Sequence, residues 1–177
     1  MKLRTTGALA SALTFAAALA ASTLAQAAGA PLTAKFADPK WGGDKVPAGQ
    51  QCKKFGGSGS TPAIEVSGLP AGTTAIVLAF NDETYQPMNN GGHGMVRFAV
   101  AKGATSAKLA PAPGETDDLP TGVTKEAGHR ASAFSGTGGA YLPPCSGGQG
   151  NTYTVSVKAM GEGAAVLGET KLALGKY

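Results

Sequence analysis

Glycine and proline recur throughout the chain, and this feature most restricts the folds open to it. The 177 residues include 27 glycines and 11 prolines. Glycine weakens a helix through the backbone entropy that it loses, and proline breaks one because it lacks an N–H group and clashes with the preceding turn. Short strands joined by turns tolerate both residues. The chain is therefore predicted to be mainly all-β, with few short helices.

The strand signals are strongest in two segments. In Thr152–Met160, the apolar side chains of Tyr153, Val155 and Val157 alternate with polar ones, so these three residues are expected to face a core. Residues 74–80 (TAIVLAF) are nearly all apolar, which indicates a strand buried on both faces. Further strand candidates lie at residues 63–66, 95–100 and 164–174, and the stretch 28–51 is expected to hold a lead-in and the first strands.

Polar intervals separate these candidates. Residues 82–94, 103–134 and 136–150 are rich in Gly, Pro, Asn and Asp and are predicted to be loops. The second interval has little periodicity. A loop of that length is uncommon in a small domain and is often functional.

The N-terminus has the three parts of a secretory signal peptide. Lys2 and Arg4 precede an uncharged, Ala- and Leu-rich stretch at residues 7–24, which ends in Ala25-Gln26-Ala27, an A-x-A cleavage site. The alternative is a membrane anchor, but a span needs about 20 strongly apolar residues and this stretch is short and rich in alanine. The sequence predicts cleavage of residues 1–27 and one β domain over residues 28–177, in the periplasm or secreted. No second apolar run is long enough to span a membrane, so an integral membrane protein is not expected.

Two cysteines, Cys52 and Cys145, remain after cleavage. In an oxidising compartment such a pair is typically a disulfide, which would close a loop of about 90 residues and stabilise the fold by about 4 kcal/mol. The alternatives are two free thiols or a metal site. A metal site would need further ligands, and the chain offers only His93 and His129 as histidines.

The charge and the motifs of the sequence argue against nucleic-acid binding and against several common catalytic and metal sites. The formal net charge of +4 includes Lys2 and Arg4, and Lys53-Lys54 is the only basic pair after the predicted cleavage site, so no nucleic-acid partner is expected. Motifs for a nucleophilic serine, a phosphate-binding loop and a zinc-binding helix are absent from the sequence. Cys145 has no histidine after it, as a blue-copper site would require. No cofactor and no metal are predicted.

A candidate site nevertheless lies at the strand ends. Asp82 directly follows the apolar strand at residues 74–80, and His93 precedes the strand at 95–100, while Tyr141 and Tyr153 flank Pro143-Pro144-Cys145. We expect Asp82 and His93 to lie within hydrogen-bonding reach, at the mouth of a small pocket roofed by residues 141–145. A carboxylate beside an imidazole favours its protonated form, which could hold an anion. Alternatively, His93 only ties two strand ends together.

The order of these segments resembles that of the phosphatidylethanolamine-binding protein (PEBP) family, in its bacterial branch similar to Raf kinase inhibitors. The similarity covers roughly residues 52–177. The matching stretches are residues 60–73 (STPAIEVSGLPAGT), 76–82 (IVLAFND), 92–96 (GHGMV), 139–145 (GAYLPPC), 151–155 (NTYTV) and 174–177 (LGKY). They resemble, in order, the family's S-P-x-[LI]-x-W-x-x-x-P-x-G-T stretch, its D-P-D-x-P strand, its H-W-V-V strand start, its G-Y-x-G-P-x-P-P loop, its H-R-Y strand and its L-x-G-x-Y terminus.

This resemblance implies a Greek-key β domain of two antiparallel sheets with an anion-binding pocket for a phosphate or carboxylate group. Asp82 matches the first Asp of D-P-D-x-P, His93 the His of the H-W strand, Pro144 the loop proline and Tyr153 the Tyr of H-R-Y. Asn151 stands where the family has its second histidine. Because Asn151 can donate through its amide but carries no charge, we expect only weak phosphate binding, in the millimolar range, or about −4 kcal/mol.

Other positions also depart from the family's motifs. Glu83 and Thr84 replace the proline and second aspartate of D-P-D-x-P, Gly94 replaces the tryptophan after the histidine, and Pro143 replaces a loop glycine. Three hypotheses follow from the sequence. The first is a non-enzymatic binding or regulatory domain whose pocket holds a small anionic ligand. The others are a structural or adhesive β-sandwich without a working pocket and a hydrolase, for which no nucleophile is placed beside a base.

Overall fold

A computed structural model describes residues 30–131 and 138–177, so the predicted signal peptide lies outside the described residues. It contains eight strands: β1 (Thr33–Phe36), β2 (Ile64–Ser67), β3 (Ala75–Asp82), β4 (Met95–Ala99), β5 (Ser106–Leu109), β6 (Val123–Ala127), β7 (Thr152–Met160) and β8 (Val166–Lys176). The helical segments of the described residues are three 3-10 turns of three residues each, Lys53–Phe55, Gln86–Met88 and Glu162–Ala164. The prediction of a mainly β fold is confirmed.

The strands form two antiparallel sheets. The smaller sheet has the order β1-β2-β5 and the larger one β6-β4-β3-β7-β8. All eight residues of β3 are buried, as expected for the central strand of a sheet covered on both faces. β3 and β7 pair along their whole common length, from Ala75 opposite Met160 to Asp82 opposite Tyr153. This register puts Asp82 and Tyr153 side by side at one end of the sheet.

The core lies between the two sheets and is built from the alternating side chains that the sequence indicated. Tyr153, Val155 and Val157 are all buried, and Val157 is 0% exposed. Ile64 and Val66 of β2 belong to the same apolar cluster. The polar side of β7 is also partly covered, because Thr154 bonds to Asn81 and Glu83. The prediction that Tyr153, Val155 and Val157 face the core is confirmed.

The expectation of one long loop over residues 103–134 is wrong. This interval contains β5, which pairs with β2, and β6, which pairs with β4. Both are edge strands of four or five residues with mostly exposed or half-buried side chains. Short edge strands carry charged residues that discourage further pairing, so their sequences show no apolar period. Residues 132–134 of the interval lie outside the described part.

The disulfide joins two loops at the end of the sheet where Asp82 lies. Cys52 and Cys145 are bonded, with their Cα atoms 5.3 Å apart and a sequence separation of 93. The N–H of Cys52 also donates to the carbonyl of Pro144 (3.0 Å). The predicted pairing of the two cysteines is confirmed. None of the helical segments within residues 30–131 and 138–177 has the length and apolarity needed to cross a bilayer.

Candidate functional site

A cavity of about 500 Å³ opens at this end of the larger sheet. Its walls come from the ends of β3 and β7, from the segment between β3 and β4, and from the loops tied by the disulfide. The lining residues are Lys54, Phe55, Asp82, Thr84, Tyr85, Met88, His93, Leu142, Cys145, Ser146, Gln149, Asn151 and Tyr153. Four of the six candidate site residues, Asp82, His93, Asn151 and Tyr153, are therefore brought together.

Asp82 is the last residue of β3, and its carboxylate is held from three directions. One oxygen, Oδ1, accepts hydrogen bonds from the backbone N–H groups of Thr84 (2.9 Å) and Tyr85 (3.0 Å), which closes the turn after the strand. The other, Oδ2, accepts from Nδ2 of Asn151 at 2.6 Å. Asp82 is only 3% exposed, so the carboxylate is fixed by its hydrogen bonds while one side faces the cavity.

His93 is held by both its backbone and its ring. Its N–H donates to the carbonyl of Phe80 (3.1 Å), and its own carbonyl accepts from the N–H of Leu142 (2.8 Å). The ring atom Nδ1 lies 2.8 Å from the carbonyl oxygen of Leu142. A carbonyl can only accept, so Nδ1 carries the proton and, in the neutral ring, Nε2 carries the lone pair.

The expected hydrogen bond between Asp82 and His93 is not formed, since the ring of His93 is bonded to Leu142 instead. The expected protonated imidazole is also wrong. Burial lowers the pKa of His93 from its ordinary value of 6.5 to about 4, and the opposing effects of the Leu142 carbonyl and the Asp82 charge are smaller. His93 is therefore neutral at pH 7. Its role as a tie between strand ends is correct, but it also lines the cavity.

The backbone next to His93 requires a glycine at position 94. Its φ of +104° is a conformation that side chains disfavour. A Cβ atom here would also collide with the carbonyl of Ala140. A residue with a side chain is therefore not accommodated at this position. The close approach of the two segments is what lets His93 and Leu142 exchange hydrogen bonds.

Tyr153 lies beside Asp82, with its ring edge-on to His93 at a centroid separation of 5.2 Å. Its hydroxyl accepts a hydrogen bond from the N–H of Cys145 (3.2 Å). Burial, the largest influence, and the neighbouring Asp82 carboxylate together raise the pKa of Tyr153 to about 12, although the nearby Ser146 hydroxyl and the Cys145 N–H oppose them. The hydroxyl therefore stays protonated at neutral pH.

The structure places Tyr141 and Pro144 outside the cavity wall. Tyr141 is 1% exposed and its ring packs against Phe80 at a centroid distance of 4.2 Å. Its buried hydroxyl has no hydrogen-bond partner among the described residues, and burial raises its pKa. Pro144 is buried in the loop. The expected roof over residues 141–145 is formed in part, by Leu142 and Cys145.

Sequence reasoning missed other lining residues. Lys54 and Phe55 lie far from Asp82 in sequence and reach the cavity because the disulfide at Cys52 fixes their segment there. The predicted disulfide was therefore the signal that could have placed Lys54 and Phe55. Met88 is buried in the turn after β3, and nothing in its sequence context marks it.

The described residues contain no group of three or more His, Cys, Asp or Glu side chains that could hold a metal ion. No protein-family model, no curated protein and no solved structure matches the chain.

Proposed function

We propose that this chain is an exported, non-catalytic binding or regulatory domain that holds a small ligand in the cavity beside Asp82 and His93. One observation carries the proposal. Polar side chains from three separate segments, Asp82, His93 and the pair Asn151 and Tyr153, meet in one cavity and are fixed there by hydrogen bonds. A cavity of some hundreds of Å³ with a few convergent polar groups is the usual form of a small-molecule site.

The hydrogen bonds around the cavity favour binding over hydrolysis. A nucleophilic serine needs a base hydrogen-bonded to its hydroxyl and a third group that orients the base. Ser146 instead donates to the carbonyl oxygen of Tyr177 at 2.6 Å, and the ring of His93 is oriented by a backbone carbonyl. Among the described residues, no hydroxyl or thiol is hydrogen-bonded to His93.

Donor side chains at the cavity mouth suit the anionic group of a ligand, as the resemblance to the PEBP family implies. Lys54, Tyr85 and Gln149 all line the cavity and carry N–H or O–H donors. Membership of the PEBP family is part of the proposal. It is supported by the matching positions of Asp82 and Tyr153, which face each other across β3 and β7.

The proposal is tested by titrating the exported protein with sodium phosphate and sodium acetate while the ring signals of His93, Tyr85 and Tyr153 are followed by NMR. A saturable shift in any of the three rings, lost when the cavity is filled by Gln149→Trp, supports a working pocket. A suitable control is Asp118→Asn, since Asp118 is exposed and does not line the cavity. If no cavity residue responds to these salts or to amines at tens of millimolar, the structural β-sandwich becomes the better explanation.

A further inference from the structure

β8 is an edge strand of the larger sheet and the longest strand in the described part of the chain. It runs for 11 residues, Val166–Lys176, whereas the other edge strands, β1, β5 and β6, have four or five. Residues 44–46 cover only its C-terminal end, where two backbone hydrogen bonds join them to Lys176. Residues 166–172, the open edge, have no strand on their outer side within residues 30–131 and 138–177.

The hydrogen bonds of β7 show which residues of the open edge direct their backbone groups outward. The carbonyl of Thr152 accepts a hydrogen bond from the end of β3 (2.9 Å), so Thr152 and every second residue after it face β3. Val157 therefore faces β8, where it pairs with Thr170. Because Thr170 uses its N–H and C=O groups on β7, its neighbours Glu169 and Lys171 point theirs outward. Such a row of outward N–H and C=O groups is a template for another strand.

The side chains of Glu169 and Lys171 carry opposite charges on one face of the sheet. Nζ of Lys171 lies 2.8 Å from Oε1 of Glu83, and Oε2 of Glu169 lies 3.9 Å from Nζ of Lys158. These contacts leave the side chain of Glu169 46% exposed and that of Lys171 57% exposed. Each charge can therefore take a further partner from outside the chain.

A second copy of β8 complements the open edge when it lies antiparallel to the first, about a two-fold axis that passes perpendicular to the sheet at Thr170. Glu169 of each copy then lies opposite Lys171 of the other, and both residues have outward backbone groups that can exchange hydrogen bonds. Directly opposed residues of opposite charge stabilise antiparallel strands. With Glu83 and Lys158 at its ends, each row across the interface has four charges of alternating sign.

The charges also select this register over its neighbours. A slip of one strand by two residues is the smallest that keeps outward-facing residues paired. It places either Glu169 or Lys171 opposite the same residue of the second copy, and like charges in that position are destabilising. The open edge also begins with Val166 and Leu167, which are 53% and 39% exposed and are two of the four large apolar side chains that the described residues expose. A second strand beside them covers part of this apolar surface.

We propose that the open edge of β8 binds a second copy of this chain, so that two larger sheets join into one antiparallel sheet across a two-fold axis at Thr170. No residue of β8 lines the cavity beside Asp82, so this inference is independent of the proposed function. One short ladder is expected to bury less than the roughly 1,200 Å² of stable interfaces. The dimer is therefore transient, with a dissociation constant of about 0.1 mM.

The test measures association of the exported protein by sedimentation equilibrium between about 20 µM and 1 mM, at low salt so that charge pairs are little screened. Amide hydrogen exchange at both ends of this range locates the interface. The mass is expected to rise towards that of a dimer, and the N–H groups of Glu169 and Lys171 are expected to exchange about threefold more slowly at 1 mM. A monomer at every concentration, or slower exchange confined to other residues, refutes the proposal.

Two charge reversals test the register. Glu169→Lys and Lys171→Glu each place like charges opposite one another, so each variant alone is expected to dimerise at least about tenfold more weakly. An equal mixture of the two variants again opposes unlike charges, so they are expected to bind each other at least about tenfold more tightly than either binds itself.

The matched control is Lys125→Glu, which makes the same change of charge on the edge strand β6 and is expected to leave association within about twofold. If the two variants do not associate in the mixture, or if Lys125→Glu weakens association as much as Lys171→Glu does, the charge-paired edge is refuted. The exchange experiment uses the unaltered protein, so it decides the proposal even if a variant does not fold.

Discussion

Lowering the pH from 7 to 5 is expected to destabilise the fold through His93 alone by about 2 kcal/mol. Its folded pKa is about 4, against an ordinary value of 6.5, so the unfolded chain binds the proton first. Stability from the neutral ring is complete above pH 6.5 and is lost as the pH falls towards 4. Over the whole window from pH 6.5 to about 4 the loss amounts to about 3 to 4 kcal/mol, since each pKa unit corresponds to about 1.4 kcal/mol.

The measurement is the free energy of unfolding in urea at pH 7, 6 and 5, for the unaltered protein and for His93→Gln. The carboxylates with lowered pKa, Glu65, Glu83 and Glu126, start from an ordinary value of 4.5, so they contribute little above pH 5. A glutamine amide can still donate to the Leu142 carbonyl but does not titrate.

The difference between the pH profiles of the unaltered protein and His93→Gln tests whether His93 causes the loss of stability. If His93→Gln loses stability between pH 7 and 5 as steeply as the unaltered protein, His93 is not the buried neutral group that the structure indicates. If the NMR titration of His93 gives a pKa of 6 or higher, burial does not disfavour the charged ring, and the predicted loss of stability has no basis.

Three further predictions concern stability and the shape of the cavity. Val157→Asp should lower the free energy of unfolding in urea by at least about 3 kcal/mol, because it places an unpaired charge at a fully buried position. Lys158 is half-buried, so Lys158→Gln should change the free energy of unfolding by less than about 1 kcal/mol. Similar losses in the two variants would contradict the assigned faces of β7. Thiol titration of the denatured, unreduced protein should find no free thiols, and reduction of Cys52–Cys145 should lower stability by about 4 kcal/mol, given the 93-residue separation; two thiols before reduction would refute the pairing. The guanidinium of Arg130 donates hydrogen bonds to three carbonyl groups of the loop before His93. Arg130→Lys should therefore speed amide hydrogen exchange in residues 87–92. Unchanged exchange would show that these hydrogen bonds do not stabilise the loop.

The sequence predicted those strands whose burial imposes a pattern. Thr152–Met160 alternates because one side of β7 faces the core, and β3 is apolar throughout because both of its faces are covered. The polar edge strands β5 and β6 have no such requirement, since exposed positions accept most residues. Their pairing with β2 and β4 depends on contacts distant in sequence, which a local pattern does not encode.

The same distinction applies to the candidate site. Asp82 and Tyr153 were predictable because each lies at the end of a strand that the sequence defines, and these strands pair in the larger sheet. The partner of His93 was not predictable, because any of several backbone carbonyls could have accepted its proton. The choice of Leu142 depends on the close approach that Gly94 permits. That single contact sets the tautomer and leaves Nε2 as an acceptor.

Asn151 determines the charge beside Asp82 in the cavity. A histidine at this position, as in the family's motif, could bring a positive charge beside Asp82 when protonated. Asn151 keeps a hydrogen bond to Oδ2 of Asp82, at 2.6 Å, but its amide is neutral at every pH. The carboxylate is thus held in place while Asn151 adds no positive charge, so the anionic group of a ligand is repelled near Asp82. Asn151→His should therefore strengthen acetate binding at a pH where the new histidine is protonated, and the gain should be lost at higher pH. Unaltered protein, with neutral His93 and Asn151, should show no such dependence between pH 6 and 8, and the same dependence in both proteins would refute this account of Asn151.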